Sequence, residues 1–253
     1  MAKSTTFVHD RITKILETNA DGTKQFGLRD KFAKNCESLG EAGGRSWLLR
    51  HIEVTEIFRK LLASDDWAAA DTETTTVGAS AEVIELAVVE PARCECNYES
   101  RRTQADPEAC DCGVAFHALW KTRRPITKGS QAVHGISNEQ LLDAPTLADD
   151  YDKLCGVLNK YKRLIWYNAA FDLRVIEQST FEQGLDDLPL PETYDVMTEI
   201  GDWIGDWNPK QNGWRWPKLE GGHRATGDCQ ELIRAIRRTQ ETDIEYARSL
   251  LET

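Results

Sequence analysis

Two carboxylates at the end of one predicted strand constrain this chain more than any other feature. The apolar run 67–70 leads directly into Asp71 and Glu73, and a second apolar run covers residues 83–89. This pattern predicts two strands joined by a loop. Residues two positions apart on a strand share a face, so the two carboxylates would lie side by side. Neighbouring carboxylates repel each other unless a cation lies between them, and hard divalent cations such as Mg²⁺ prefer oxygen ligands.

Length and composition are those of a globular protein. The chain has 253 residues, of which 40% are hydrophobic and 29% are charged. It is long enough for one substantial core, or for one domain with an appendage. The sequence contains no apolar run of membrane-spanning length, and its N-terminus lacks a signal-peptide core. We therefore expect a cytoplasmic protein with reduced thiols and no membrane partner.

Charge is distributed unevenly along the chain. The net charge of −11 argues against a broadly basic nucleic-acid-binding surface. Residues 1–64 contain 11 Lys/Arg and 8 Asp/Glu, whereas residues 65–253 contain 20 Lys/Arg and 34 Asp/Glu. A polyanionic substrate would therefore have to be held locally, by metal ions and a few basic side chains.

The order of predicted elements indicates an α/β domain preceded by helices. Residues 1–64 have helical apolar spacing at 8–16, 29–39 and 46–62, with a break at 40–44. From residue 67 the pattern is strand, strand, insertion, strand, helix, strand, helix, which predicts a mixed sheet flanked by helices. We predict two domains, a helical N-terminal extension (1–64) and an α/β domain (65–253). The later predicted elements are strands at 114–121, 164–167 and 194–197, helices at 138–159 (interrupted at Pro145), 169–183, 227–238 and 241–251, and an irregular segment at 185–222.

Three more residues fit a cation-dependent site. Asn168 is a good N-cap residue for a helix that places Asp172 in its first turn, where the helix dipole favours negative charge. Asp228 lies one turn before Leu232 on the inward side of a later helix, where an unpaired charge would be costly. His223 lies on the glycine-rich approach to that helix and suits general-base chemistry near neutral pH. Taken singly, Asp172 could be an ordinary helix-start residue and His223 a surface imidazole.

Together these residues form three motifs in the order of a known family. They are Asp71-Thr72-Glu73, Asn168-Ala169-Ala170-Phe171-Asp172, and His223-Arg224-Ala225-Thr226-Gly227-Asp228, and residues 133–137 read Val-His-Gly-Ile-Ser. Over roughly residues 65–240 the chain resembles the DEDDh (DnaQ-like, RNase T-like) 3′–5′ exonuclease superfamily. It departs from the family pattern at Tyr167, where a His is common, and at Thr76, where a Gly is common. Neither departure removes a ligand, but both bear on substrate contacts.

The resemblance implies an RNase H-like fold and a two-metal hydrolysis of phosphodiester bonds. Asp71, Glu73, Asp172 and Asp228 would hold two Mg²⁺ or Mn²⁺ ions, and His223 would take a proton from the attacking water. The expected substrates are single-stranded 3′ ends of DNA or RNA, with contacts from Thr74, His134, Asn168 and Phe171. Two alternatives remain open: a catalytically silent module that binds nucleic acid or a polymerase, and a nuclease specialised for very short RNA.

A cluster of tryptophans within the irregular segment has two readings. Trp203, Trp207, Trp214 and Trp216 are interleaved with Lys210 and Arg215. Aromatic faces beside cations suit single-stranded nucleic acid, and we expect one or two of them to face a terminal base. The alternative is that the aromatic side chains fix an otherwise irregular loop by packing.

Four cysteines lie in a polar insertion at residues 91–113. They form two Cys-x-Cys pairs, and this spacing differs from the common Cys-x-x-Cys of zinc sites. A structural zinc ion would supply the ordering free energy that this polar segment lacks, whereas the alternative is free or redox-active thiols. The residues of the candidate zinc site are Cys94, Cys96, Cys110 and Cys112.

The zinc hypothesis predicts about one tightly held zinc ion per chain purified without added metal. Because thiolates and carboxylates select different metals, the zinc content should be unchanged in an Asp71→Ala variant and lost in a Cys94→Ser/Cys110→Ser variant. Elemental analysis measures both. A zinc content near zero, with freely titrating thiols, contradicts the hypothesis.

Overall fold

The computed structural model of the chain describes residues 8–16, 26–91, 113–219 and 221–252. All four residues of the candidate zinc site lie outside these ranges, so that site stays a prediction. None of the helices within the described ranges has the length and apolar character needed to cross a bilayer. The chain divides into two compact units. We call residues 65–195 with 221–232 the sheet unit, and residues 1–64 with 196–220 and 233–253 the helical unit.

The described elements alternate between helices and short strands after an all-helical start. In chain order they are α1 (Val8–Ile15), α2 (Phe26–Leu62), β1 (Trp67–Thr74), β2 (Val83–Val89), β3 (Val114–Leu119), α3 (Lys128–His134), a 3₁₀ turn (Glu139–Leu141), α4 (Leu147–Leu158), β4 (Arg163–Trp166), α5 (Ala169–Glu182), β5 (Glu192–Asp195), α6 (Met197–Ile204), β6 (Trp207–Asn208), β7 (Gly213–Trp214), α7 (Ala225–Thr239) and α8 (Ile244–Ser249).

The sheet unit is built on a mixed five-stranded sheet with the strand order β3-β2-β1-β4-β5. Strand β2 pairs antiparallel with β1 and β3, whereas β1–β4 and β4–β5 are parallel pairs. Strand β2 is buried along its whole length, as expected for a strand covered on both faces. Strand β1 is buried up to Ala70 and becomes partly exposed at Asp71 and Glu73. The predicted mixed sheet flanked by helices is confirmed.

Helix boundaries in the sheet unit differ from the sequence prediction in two places. The predicted helix at 138–159 is wrong in its first half, because Pro145 ends it and α4 begins only at Leu147. Thr146 caps α4 through a capping box, in which its side chain accepts from the Asp149 N–H and the Asp149 side chain accepts from the Thr146 N–H. Helix α3 was not predicted, because its sequence lacks a helical apolar period. Thr127 caps its start, and Gly135 ends it in a left-handed conformation.

The helical unit contains a buried aromatic cluster that the sequence prediction placed in an irregular segment. Trp203 is fully buried, stacks on His51 at 4.5 Å, and donates from Nε1 to Thr55 Oγ1 at 2.9 Å. His51 Nδ1 donates to the carbonyl of Trp203 at 2.7 Å, and burial lowers the pKa of His51 to about 4. Trp203 is therefore a core residue of α6. The irregular assignment was wrong here because apolar residues at 200, 203 and 204 have helical spacing.

Two other features of the helical unit bear on the sequence predictions. The predicted break at 40–44 corresponds to a kink in α2 at Gly40, where φ is 76° and ψ is 164°.

Trp207 and Trp214 pair across the short β6–β7 hairpin, edge to face at 5.1 Å. Trp216 is 62% exposed. Of the four tryptophans, Trp203 is excluded as a base-stacking residue, and Trp216 has the exposed face that stacking requires.

Helix α6 ends at a glycine that both backbone geometry and packing require. Gly205 has a φ of 66°, and a Cβ atom there would lie 1.9 Å from Nε1 of Trp47. Trp47 Nε1 donates to the carbonyl of Asp202 at 2.9 Å, so the indole cannot move away without losing this bond. We predict that Gly205→Ala lowers the free energy of unfolding by about 2–4 kcal/mol, from the left-handed backbone and overpacking together.

Thermal unfolding of Gly205→Ala beside Gly156→Ala tests this prediction. Gly156 lies inside α4, and a Cβ atom added there would meet nothing within 4 Å. Alanine is favoured over glycine in a helix interior by up to about 1 kcal/mol, so the control variant should be as stable as the wild type or more stable. Equal stability of Gly205→Ala and the wild type contradicts the packing account.

Candidate active site

Three carboxylates converge at the end of β1. Asp71, Glu73 and Asp228 each offer one oxygen, and these oxygens all lie within 4.8 Å of one another. Asp71 and Glu73 come from β1, whereas Asp228 comes from the first turn of α7. The alternation along β1 explains the first pair, because Thr72 and Thr74 are buried on the opposite face. The strand ends at an irregularity in the β1–β2 register between Glu73 and Thr74.

Asp172 is tied to the same strand by hydrogen bonds. It lies in the first turn of α5 and is 4% exposed. Its Oδ1 accepts from the backbone N–H of Thr72 at 3.1 Å and from Thr72 Oγ1 at 2.6 Å. Thr72 is the residue between Asp71 and Glu73, so this contact fixes Asp172 to the strand that carries them. Asp172 is not a member of the three-carboxylate group found among the described residues.

The carboxylates raise one another's pKa. Burial is the largest cause in each case, followed for Asp71 by the charges of Asp172, Asp228 and Glu73. The pKa of Asp71 lies well above its ordinary value, and that of Glu73 is raised to about 9 by burial and then by Asp228. Burial also raises the pKa of Asp172 and of Asp228. Without a cation, these four groups are therefore not all ionised at neutral pH.

The donor set fits a hard divalent cation. Oδ1 of Asp228 is buried, and the backbone of Gly221 hydrogen bonds to this carboxyl group. A Cβ atom on Gly221 would lie 2.1 Å from this same oxygen. Only glycine at position 221 therefore allows the approach loop, residues 221–224 immediately before α7, to pass so close to Asp228. Carboxylate oxygens at mutual distances below 5 Å are the ligands that Mg²⁺ and Mn²⁺ prefer.

His223 lies on the approach loop, as the sequence indicated. It is exposed and has a φ of 54°, and Gly222 before it has a φ of 76°. Two consecutive left-handed residues turn the chain sharply just before α7 begins. A non-glycine residue in this conformation is uncommon, and such positions cluster at functional sites. The loop thus presents an exposed imidazole five residues before Asp228.

The four predicted substrate-contact residues have different environments. Thr74 Oγ1 donates to the carbonyl of Thr76 at 2.9 Å. His134 is buried at the end of α3, accepts at Nδ1 from the Ile136 N–H at 3.0 Å, and has its pKa lowered by burial. Phe171 is partly buried under the guanidinium of Arg174, which lies 5.3 Å from the ring centre.

Asn168 differs from the prediction in how it starts α5. It occupies the N-cap position with a φ of 73°, but its side chain makes no capping bond. Asp195 on β5 accepts instead from the backbone N–H groups of Asn168 at 3.1 Å and Ala169 at 3.0 Å. The prediction of a side-chain cap was wrong because a left-handed Asn168 turns its side chain out of capping geometry and a neighbouring strand supplies the carboxylate.

Sequence reasoning missed Glu85, a buried carboxylate next to the cluster. Glu85 lies on β2 directly opposite Glu73 and is 1% exposed. It accepts from His117 Nε2 at 2.8 Å, from Arg224 Nη2 at 2.8 Å and from the Ala225 N–H at 3.1 Å. Burial alone would raise its pKa, but the bonds from His117 and Arg224 outweigh burial and lower it to about 2. The available signal was an acidic residue within the apolar run 83–89.

Comparison with known proteins places this site in a family. The RNase T exonuclease family model matches residues 69–236. An uncharacterized exonuclease, CP81, from Escherichia phage 186 is 27% identical over 189 residues, which are 68% of this chain and 87% of that protein. The epsilon subunit of DNA polymerase III from Escherichia coli K12 is 32% identical over 87 residues, 34% of this chain. The match spans about a third of the epsilon subunit, 35% of its length.

A solved structure shares the fold. Escherichia coli exonuclease I in complex with a 5cy-dA13 oligonucleotide matches with a TM-score of 0.50 and 13% identity, over 74% of this chain and 42% of that chain. The family model covers more than half of the residues and contains all three acidic motifs of the sequence. The chain therefore belongs to the RNase T/DnaQ-like DEDDh family of 3′–5′ exonucleases.

Proposed function

We propose that this exonuclease removes nucleotides from single-stranded 3′ ends of DNA or RNA by metal-dependent hydrolysis with a histidine general base. The observation that carries the proposal is the group of Asp71, Glu73 and Asp228, whose oxygens lie within 4.8 Å of one another in residues that are only partly exposed. Partly buried acids crowded in this way destabilise the protein unless they bind cations. Such an arrangement is therefore expected to be retained for its chemistry.

The proposed metal ligands are Asp71, Glu73, Asp172 and Asp228. Two bound Mg²⁺ or Mn²⁺ ions would neutralise these carboxylates and stabilise the charge that develops on the phosphate and the leaving 3′ oxygen. Thr72 holds Asp172 in place through two hydrogen bonds to one oxygen, Oδ1. Gly221 leaves room for the buried oxygen of Asp228.

His223 is the proposed general base. Its exposed position on the approach loop leaves the imidazole accessible to a water molecule and to substrate. A general base must reach the proton that it removes, and the left-handed turn at 222–223 sets the direction of this side chain. Thr74, His134, Asn168 and Phe171 are the proposed substrate contacts. Phe171 presents a partly exposed ring beside Arg174, a pairing that suits a base next to a phosphate.

The two alternatives make different predictions. A silent binding module would be expected to have lost some of the five site residues, whereas this chain retains all of them. A nuclease for very short RNA would prefer dinucleotides to longer strands. The division into a helical extension at 1–64 and an exonuclease domain at 65–253 also remains part of the proposal.

A strand-shortening assay tests the function directly. DNA and RNA strands of about 20 nucleotides, 5′-labelled, and the matching blunt duplexes are incubated with Mg²⁺, Mn²⁺ or EDTA. We expect a ladder that shortens from the 3′ end of single strands and is absent in EDTA. Internal cuts, or shortening from the 5′ end of 3′-labelled strands, contradict the proposal. A dinucleotide substrate included in the same series distinguishes the short-RNA alternative by its relative rate.

The raised carboxylate pKa values predict how stability depends on pH and metal. Between pH 5 and pH 9 the metal-free native state binds more protons at this site than the unfolded chain, so its stability falls as pH rises. Asp71→Asn removes one of the repelling charges. We predict that in EDTA at pH 8 this variant is more stable than the wild type by about 1–3 kcal/mol, and that it has lost hydrolysis.

Melting curves in EDTA and in Mn²⁺, from pH 5 to pH 9, measure this effect. Mn²⁺ should raise the wild-type melting temperature and flatten its pH dependence, and it should have little effect on Asp71→Asn. Asp187→Asn, which removes an exposed surface carboxylate, is the matched control and should follow the wild type. If Asp71→Asn is less stable than the wild type in EDTA, or retains activity, the metal-ligand assignment is wrong.

For His223 we predict a loss of rate without a loss of metal. His223→Ala should lower kcat by about 10²–10⁴-fold, while the rise in melting temperature with Mn²⁺ stays at the wild-type value. A variant with the wild-type rate, or a variant that has lost the metal effect, removes His223 from the base role.

A further inference from the structure

Glu85 is more heavily hydrogen bonded than any proposed metal ligand in the described part of the sheet unit. Its Oε1 accepts from His117 Nε2 and from Arg224 Nη2, both at 2.8 Å, with Arg224 Nε at 3.2 Å. Its Oε2 accepts from Arg224 Nε and from the Ala225 N–H, both at 3.1 Å. The guanidinium therefore binds both carboxylate oxygens, an arrangement that fixes orientation as well as distance.

These contacts separate Glu85 from the carboxylates that face a cation. Glu85 and Glu73 lie opposite each other on neighbouring strands, yet they differ in their partners. N–H donors occupy both oxygens of Glu85, whereas Glu73 offers an oxygen within 4.8 Å of those of Asp71 and Asp228. A carboxylate whose oxygens are all engaged by donors has no free lone pair to offer a metal ion. Glu85 therefore contributes to the site in some way other than by binding a metal ion.

Arg224 and Ala225, which donate to Glu85, lie at the N-terminal end of α7, the helix that carries Asp228. Arg224 follows His223 directly, and Ala225 is the first residue of α7. The Ala225 N–H is one of the N-terminal donors that a helix cannot satisfy internally, and Glu85 accepts from it across the sheet. Asp228 follows within the same turn. Glu85 thus fixes the segment 223–228 at its middle, between the proposed base and a proposed ligand.

Helix α5 is held in the same way by a different strand. Asp195 of β5 accepts from the backbone N–H groups of Asn168 and Ala169, and Asp172 lies in the first turn that follows. Both ligand-bearing helices therefore begin on a carboxylate that projects from a neighbouring strand. The recurrence argues that each carboxylate sets the position of the ligand on its helix.

We propose that Glu85 is a positioning residue for the exonuclease reaction, which acts through Arg224 and the Ala225 N–H to hold His223 and Asp228 in register with Asp71 and Glu73. This inference rests on the proposed roles of His223 and Asp228. Outer contacts of this kind are commonly worth about 10–100-fold in metal affinity or activity. Their loss should affect catalysis and metal dependence, while binding of the rest of the nucleic acid is retained.

Three variants and a control test the inference on the full chain. Glu85→Gln removes the charge that Arg224 binds, and Arg224→Gln removes the guanidinium but leaves the Ala225 N–H bond. The double variant Glu85→Gln/Arg224→Gln reports whether the two act through each other. Arg163→Gln is the matched control, since it removes an arginine that pairs with Glu192 at 2.8 Å at the far side of the sheet. Arg224 is partly exposed, so its variant tests the inference even where Glu85→Gln does not fold.

The readouts are kcat and KM for a labelled strand, both measured well below the melting temperature, and the half-saturating Mn²⁺ concentration, taken from the rise in melting temperature with added Mn²⁺. We expect both single variants to lose about 10–100-fold in kcat, to need more Mn²⁺, and to change KM by less than about threefold. The losses in the double variant should not multiply, because one contact is removed twice. Arg163→Gln should match the wild type in all three.

Two results overturn the inference. One is a kcat and a half-saturating Mn²⁺ concentration within about twofold of the wild type in Arg224→Gln, or in a folded Glu85→Gln. The other is losses that multiply in the double variant, since independent contributions add in free energy. Failure of the proposed function gives a different pattern, in which the wild type shows no metal-dependent hydrolysis or Asp71→Asn and His223→Ala retain it.

Discussion

Repulsion among crowded, partly buried carboxylates determines how this site is built. Asp71, Glu73 and Asp228 present oxygens within 4.8 Å of one another, and Asp172 is bonded to the strand between the first two. Burial and mutual charge both raise the pKa of Asp71. A chain that places these groups together becomes less stable as they ionise, unless cations bind. The fold therefore has to hold the site in place with contacts that do not use the ligand oxygens themselves.

The mixed sheet supplies those contacts. Strand β1 lies at the centre of the sheet, between antiparallel β2 and parallel β4. Glu85 on β2 binds the start of α7, and Asp195 on β5 binds the start of α5. Each of the two helices brings one carboxylate, Asp228 or Asp172, to the end of β1. Glu85 and Asp195 thus accept hydrogen bonds from the backbone N–H groups at the starts of the two helices. The carboxylates at the end of β1 remain available to bind a cation.

Much of this arrangement can be predicted from sequence, and the missing parts have physical explanations. Alternation along β1 predicts that Asp71 and Glu73 share a face, and the first-turn positions of Asp172 and Asp228 follow from local helix signals. Glu85 was missed because the hydropathy pattern identifies a buried strand without explaining a single charged residue within it. The hydrogen-bond partners of Glu85 are residues 117 and 224–225, which lie far along the chain. The side chain of Asn168 was wrongly predicted to cap α5 for the same reason. The carboxylate that accepts from the start of the helix belongs to Asp195, which is 27 positions further along the chain. Long-range polar contacts leave no local period in a sequence.

Helix α6 shows a different limit of sequence prediction. The surrounding Pro, Gly and Trp content suggested an irregular segment, yet Trp203 packs on His51 and fixes a regular helix. Local periodicity here outweighs composition, because the apolar residues at 200, 203 and 204 have helical spacing and face the core. The same residue type at Trp216 remains exposed. Composition alone does not distinguish the two environments.

Proton release on metal binding reports directly on the protonation of these carboxylates. If the acids at the end of β1 are held partly protonated until cations bind, titration of Mn²⁺ into the metal-free protein at pH 7 must release protons. Calorimetric titration in two buffers of different ionisation enthalpy counts them. We expect saturable binding with a net release of about one proton or more per chain at pH 7, falling as the pH is raised toward 9. Saturable binding with no proton release, or no saturable binding at all, would contradict this expectation.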